Sequence, residues 1–195
     1  MSTTVVILII VISLLLSAFF SGMEIAYVSA NKIHIEIEKK QDDFLAKILS
    51  KLTAKPSKFI ATMLIGNNIA LVIYGFFMGD LLMKWFQSLV PTQFNFIDVL
   101  LVDFSLLVQT VISTLVILFT AEFLPKVFFQ IYSNTLIKVL AFPAYIFYLL
   151  FTFISDFVLW ISDFVLKKFF KTEGDQVQLA FTKVELGNYI SEQME

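Results

Sequence analysis

Four long apolar runs, Thr4–Ala18, Phe59–Phe86, Val99–Ala121 and Val139–Leu166, constrain this chain more than anything else in it. Each is long enough, or nearly so, to cross ~30 Å of hydrocarbon at ~1.5 Å per helical residue. Within lipid the backbone must satisfy its own amides and carbonyls, which leaves helices or closed barrels. The short alternating segments of a barrel are absent. The expected class is therefore an all-α polytopic membrane protein. No lysine precedes the first run, which stays largely apolar to Val28, so an uncleaved first span is favoured over a signal peptide. The chain has no cysteine, which removes disulfides, thiolate metal sites and cysteine catalysis. A net charge of −2 gives no ground for a nucleic-acid partner.

Lysines set the topology. All 14 basic residues are lysines, and seven of them, Lys32, Lys39, Lys40, Lys47, Lys51, Lys55 and Lys58, lie between the first two spans. The positive-inside rule places that segment in the cytoplasm and the N-terminus outside. The lysine-free connection from Gln87 to Asp98 suits an external loop, with Trp85 as an interfacial aromatic. Residues 31–58 read as a cytoplasmic amphipathic helix contacting headgroups, with Ile33, Ile37, Phe44, Leu45, Ile48 and Leu52 on its apolar side. His34, the single histidine, is expected to be solvated.

Hydropathy alone makes the fourth run a fourth span, but Lys167, Lys168 and Lys171 would then emerge outside. Three spans keep them cytoplasmic, together with the C-terminus. Pro143 divides the run, and Asp156 and Asp163 share one face of its second half. The expected organisation is three transmembrane helices within 1–126, a juxtamembrane helix pair over 127–171 lying in or dipping into the inner leaflet, and a linker with the start of a truncated cytosolic helical region over 172–195. Thr182 and Glu185 form a capping box there.

Polar residues inside the spans are the candidates for function, because a mid-membrane carboxylate costs ~2.5–3.5 kcal/mol on insertion scales. Ser17, Ser21 and Glu24, spaced by four and three, share a face of the first span, and Ser13 extends the stripe. The second span carries Gly66, Asn67 and Asn68; the third carries Glu122, with Pro125 freeing the carbonyl of Ala121. Ser21 lies ~15 Å above Asn31, Asn67 ~12 Å above Phe59, and Glu122 ~6 Å above Lys126, all in the inner half of the bilayer. Bland readings exist for each: serines bonding neighbouring carbonyls, asparagines bonding between helices, and Lys126 pairing with Glu122 or Glu24. Jointly they offer hydroxyl, amide, carboxylate and backbone oxygens without nitrogen or sulfur, a set suited to Mg²⁺, Ca²⁺ or Na⁺. Gly75 and Gly79 form a small-xxx-small pair for close packing within or between protomers.

"SAFFSGMEIA" (17–26), "IGNNIA" (65–70) and "AEFLPK" (121–126), in this order, resemble the transmembrane domain of the cyclin M / CorC magnesium transporters. "AFPAYIFYLLFTF" (141–153) resembles the family's juxtamembrane region, and "FTKVELGNYISEQ" (181–193) the lead-in to its cytosolic domains. The resemblance implies a homodimer with three spans per protomer, set in lipid in a plasma or inner membrane. It also implies a cytosolic pair of CBS modules in the full-length protein, which this chain lacks. It implies Mg²⁺ export exchanged for Na⁺ at an inward-facing site. Carried over by motif, Ser17 and Ser21 supply hydroxyls, Asn67 or Asn68 an amide oxygen and Glu122 the carboxylate; Gly66 lets the backbone approach. Met23 and Ala121 depart from the family pattern without removing a ligand. The alternative is a membrane-embedded Mg²⁺ sensor or scaffold that moves nothing. An enzyme is not expected: the histidine lies outside the spans and no HExxH occurs.

Overall fold

The computed structural model describes residues 1–41 and 43–170, with the side chain of Phe170 excepted. The linker, the capping box at Thr182–Glu185 and the 181–193 motif lie outside the described residues. Among the described residues every regular element is helical. In chain order these are α1 (Thr3–Ser29), α2 (Lys32–Lys39), α3 (Phe44–Thr53), α4 (Pro56–Leu89), α5 (Asn95–Val102) and α6 (Ser105–Ile117). A π-helical turn (Leu118–Phe123) then leads into α7 (Leu124–Ile131), α8 (Ser133–Val139), α9 (Ala141–Leu150), α10 (Thr152–Val165) and a second π turn (Leu166–Phe170). Among the described residues three helices are long and apolar enough to cross a membrane: α1, α4 and the continuous stretch Ser105–Ile131.

Differences from the sequence expectation have local causes. The amphipathic segment 31–58 is two helices, not one. Asn31, in extended conformation, caps α2 by accepting from the amides of Ile33 and His34, and Asp43 caps α3 by accepting from Ala46 N. Side chains of this kind satisfy orphan amides and so favour a fresh helix start. Pro56 is the first residue of α4, where its missing amide costs nothing. The third span starts at Ser105 instead of Val99, the break falling at Asp103, the one charged residue of that apolar run. Pro143 does not divide the fourth run: it sits in the first turn of α9. The breaks fall at Leu140, where α8 and α9 meet at 61°, and at Phe151.

The chain divides into two compact units, Met1–Gly22 with Gly66–Phe128, and Met23–Ile65 with Phe129 onward. In the first, Val6 and Ile10 of α1 and Tyr74 of α4 form a core with Leu14, Phe77, Val116 and Ile117 packed around it. The buried Tyr74 hydroxyl donates to the Ser113 carbonyl at 3.2 Å, so the ring is buried without orphaning its polar tip. Val72 and Phe76 of α4 and Leu106, Leu107 and Val111 of α6 are exposed. In water such a surface would drive aggregation; in a bilayer it is the face wetted by solvent.

In the second unit, α3 buries Ala46, Ile48, Leu49 and Leu52, and Ala141 and Ala144 of α9 are buried too. Small side chains let helices approach closely. Tyr27 and Phe59 meet with ring centroids 5.0 Å apart. Asn31 N donates to Asn134 Oδ1 at 2.8 Å, and Lys138 pairs with Glu38. The hydrogen bond to Glu38 raises the Lys138 pKa above the ordinary lysine value, so this tie persists through neutral pH and is lost as pH rises through that raised value. At the start of α4, Lys58 Nζ lies 2.7 Å from Asp156 Oδ1, and Thr62 Oγ1 lies 2.9 Å from Ser155 Oγ. Thr62 donates its one hydroxyl proton to the Lys58 carbonyl, so Ser155 is the donor in the second contact.

Lys58 is buried whereas Asp156 is half exposed. Asp156→Ala leaves a buried ammonium unpaired and should cost about 2 kcal/mol, below the ~3–5 kcal/mol of a fully buried pair. Glu36→Ala, which opens the exposed pair with Lys39, should change stability by less than ~0.5 kcal/mol. Thermal unfolding in detergent measures both; equal effects would show that Lys58 finds water once Asp156 is gone.

Candidate cation site

A helix repeats every 3.6 residues, so serines four apart lie one above the other. Ser13, Ser17 and Ser21 accordingly form a single buried stripe on α1, the last two with no exposure at all. Ser17 Oγ donates to Asn67 Oδ1 of α4 at 2.6 Å. Both oxygens keep lone pairs after making this bond, since a hydroxyl and an amide carbonyl each carry two. Ser21 Oγ, one turn on, is buried and has no hydrogen-bond partner among the described residues. A buried hydroxyl left unpaired is costly, and it marks a place where a ligand oxygen, water or ion would be stabilised.

Adjacent residues on a helix point ~100° apart, so Asn67 and Asn68 cannot both face α1. Asn67 is buried and takes the serine; Asn68 is exposed. Gly66 is explained by packing: a Cβ there would come within 2.6 Å of the Phe20 ring. Phe20 is itself buried between Ser17 and Ser21 in sequence, so the missing side chain lets the serine helix seat against α4. Sequence reasoning attributed the close approach to backbone alone and overlooked Phe20; an aromatic inside the serine motif, opposite a glycine, was the available signal.

Glu122 lies in the π turn. The amide of Leu124 bonds Phe119 O, five residues back, and Pro125 has no amide for Ala121 O. The widened turn accommodates the proline by shifting the ladder, and Glu122 sits within that turn. The Glu122 side chain is one-third exposed, and its direct partner is Lys126 Nζ at 3.8 Å. No hydrogen bond joins it to Ser17, Ser21 or Asn67 among the described residues. The structure thus brings Ser17 and Asn67 together, with Ser21 one turn away on α1, and holds Glu122 on its own turn beside a lysine.

Among the described residues no group of three or more His, Cys, Asp or Glu side chains could hold a metal. A cation here would depend on hydroxyl, amide and backbone oxygens plus one carboxylate, a donor set for a hard and weakly held ion. Asp80, toward the other end of α4, and Asp103, in the break between α5 and α6, are exposed, and Asp80 pairs with Lys84 at 2.6 Å.

Comparison with known proteins shows the family. Residues 8–195 match the family described as the cyclin M transmembrane N-terminal domain. A curated relative, the UPF0053 inner membrane protein YfjD of Escherichia coli strain K12, is 29% identical over 119 residues, covering 61% of this chain and 24% of the relative. The chain thus aligns with about a quarter of that relative's length. With a family match over almost its whole length and three spans carrying the serine, asparagine and glutamate motifs, the chain belongs to the cyclin M transmembrane domain family.

Proposed function

We propose that this chain is the membrane domain of a Mg²⁺ transporter that exports Mg²⁺ from the cytoplasm in exchange for Na⁺, working as a homodimer in an inner or plasma membrane. One observation carries the reading: the buried Ser17–Asn67 bond with the unpartnered Ser21 hydroxyl one turn away. Nothing in purely structural packing calls for that orphan hydroxyl. Ser17, Ser21, Asn67 and the Glu122 carboxylate replace part of the hydration shell of Mg²⁺, which gives up its remaining waters reluctantly. The Glu122–Lys126 separation of 3.8 Å is a loose pair that an arriving divalent ion can replace. In this reading the N-terminus is external, the C-terminus is cytoplasmic, and cytosolic CBS modules of the longer protein regulate the exchange.

Moving a divalent ion outward against ~100 mV costs about 4.6 kcal/mol, so a coupling ion is required. A second reading, a Mg²⁺-binding sensor or scaffold, draws support from Glu122 being held by Lys126 instead of by the serine–asparagine group.

Purified protein in sealed liposomes separates the two. Na⁺-dependent Mg²⁺ flux is expected, whereas binding without flux supports the sensor. Ser21→Ala and Glu122→Gln should each lower flux at least tenfold and leave helicity and thermal stability nearly unchanged; normal flux in both variants would discard the site. Gly66→Ala should act differently. By displacing Phe20 it should lower stability by about 1–3 kcal/mol along with flux, as overpacked cores do.

A further inference from the structure

Residues 59–79 of α4 carry no charge and measure ~32 Å at ~1.5 Å each, the thickness of the hydrocarbon layer. Lys58 stands just before that run, and Asp80 and Lys84 stand just past it. Asp80 and Lys84 therefore lie at headgroup level, on the opposite side of the membrane from Lys58. Trp85, next in sequence, is exposed, as an interfacial aromatic is. The Asp80–Lys84 pair, 2.6 Å long, is exposed on both sides. Such a pair has little net worth, so a better partner can open it.

Asp80 and Lys84 line a cavity of about 590 Å³ in the first unit, whose walls also include Phe76, Phe77, Gly79 and Gln109. Gly79 makes room for the glutamine of α6, since a Cβ there would come within 2.6 Å of Gln109 Nε2. Gln109 Oε1 is buried and has no hydrogen-bond partner among the described residues. An acceptor left unpaired in that way is costly. The terminal torsion of glutamine is soft, so the oxygen can turn into the cavity when a donor arrives.

These groups select the occupant. A lone cation would meet the Lys84 ammonium and a lone anion the Asp80 carboxylate, whereas a zwitterion answers both. Gln109 Oε1 further asks that the positive end carry N–H donors, which a primary ammonium has and a quaternary one lacks. Phe76 is 73% exposed, and a small soluble zwitterion would leave its ring uncovered.

We propose that this cavity binds a zwitterionic phospholipid with a primary ammonium headgroup, phosphatidylethanolamine being the simplest. Asp80 and Gln109 Oε1 hold the ammonium, Lys84 holds the phosphate, and the acyl chains lie on Phe76 and Phe77. The site is independent of the transport reading and is tested without measuring flux.

The test is native mass spectrometry of the full chain in neutral detergent, with phosphatidylethanolamine, phosphatidylcholine or phosphatidylglycerol of matched chains. Phosphatidylethanolamine should be retained about tenfold better than phosphatidylcholine, the worth of one hydrogen bond to a charged group. Gln109→Leu should remove that preference. Asp80→Asn should weaken phosphatidylethanolamine retention about threefold, and its exposed position keeps the test decisive should Gln109→Leu misfold. Lys40→Gln should change nothing. Equal retention of phosphatidylethanolamine and phosphatidylcholine, or unchanged retention in Asp80→Asn, overturns the proposal. Phosphatidylglycerol held as tightly as phosphatidylethanolamine overturns it by showing that the ammonium is not read. Displacement by excess glycerophosphoethanolamine overturns it in favour of a soluble zwitterion. A loss of dimer in Gln109→Leu with lipid retention unchanged overturns it in favour of a second copy of the chain.

Discussion

Hydrocarbon offers no hydrogen bonds, and the rest of the structure follows from that. Backbone amides are satisfied along the three spanning helices, and polar side chains inside them must find partners on neighbouring turns or facing helices. Tyr74 finds Ser113 O, Thr110 and Thr120 bond carbonyls four residues back, and Ser17 finds Asn67. Against that background a buried hydroxyl without a partner carries information, and Ser21 supplies it. Gln109 Oε1 is also buried without a partner, but Ser21 is the one set beside the Ser17–Asn67 bond, and the proposed function is built on it.

The two units solve different physical problems. In the first, apolar side chains face outward as well as inward, so burial of hydrophobic surface from water is not what joins the helices; tyrosine, glycine and serine contacts supply specificity. In the second, capped short helices pack apolar faces together and close with ion pairs, as a soluble domain does. Its lysine-rich face with exposed rings is neither water-like nor lipid-like throughout, which is the chemistry of an interface. The Glu122 turn follows the same logic, since a proline that would break a helix is accommodated by a widened turn that keeps the span continuous.

How much was legible in the primary structure depends on whether a property is periodic or pairwise. Spans, class and family follow from run length, lysine placement and three local motifs, because hydropathy and helical spacing act along the chain. The serine stripe was likewise readable, since spacing of four fixes a shared face. Break points were not: Asn31, Asp43 and Leu140 redirect the chain through caps and dihedrals that compete with continuation by only ~1 kcal/mol. Tertiary structure alone decided that Asn67 instead of Asn68 meets Ser17, that Phe20 fills the space over Gly66, and that Asp156 neutralises Lys58. Such pairings join residues dozens of positions apart, and their energies depend on distances of a few ångströms that no pattern along one helix specifies.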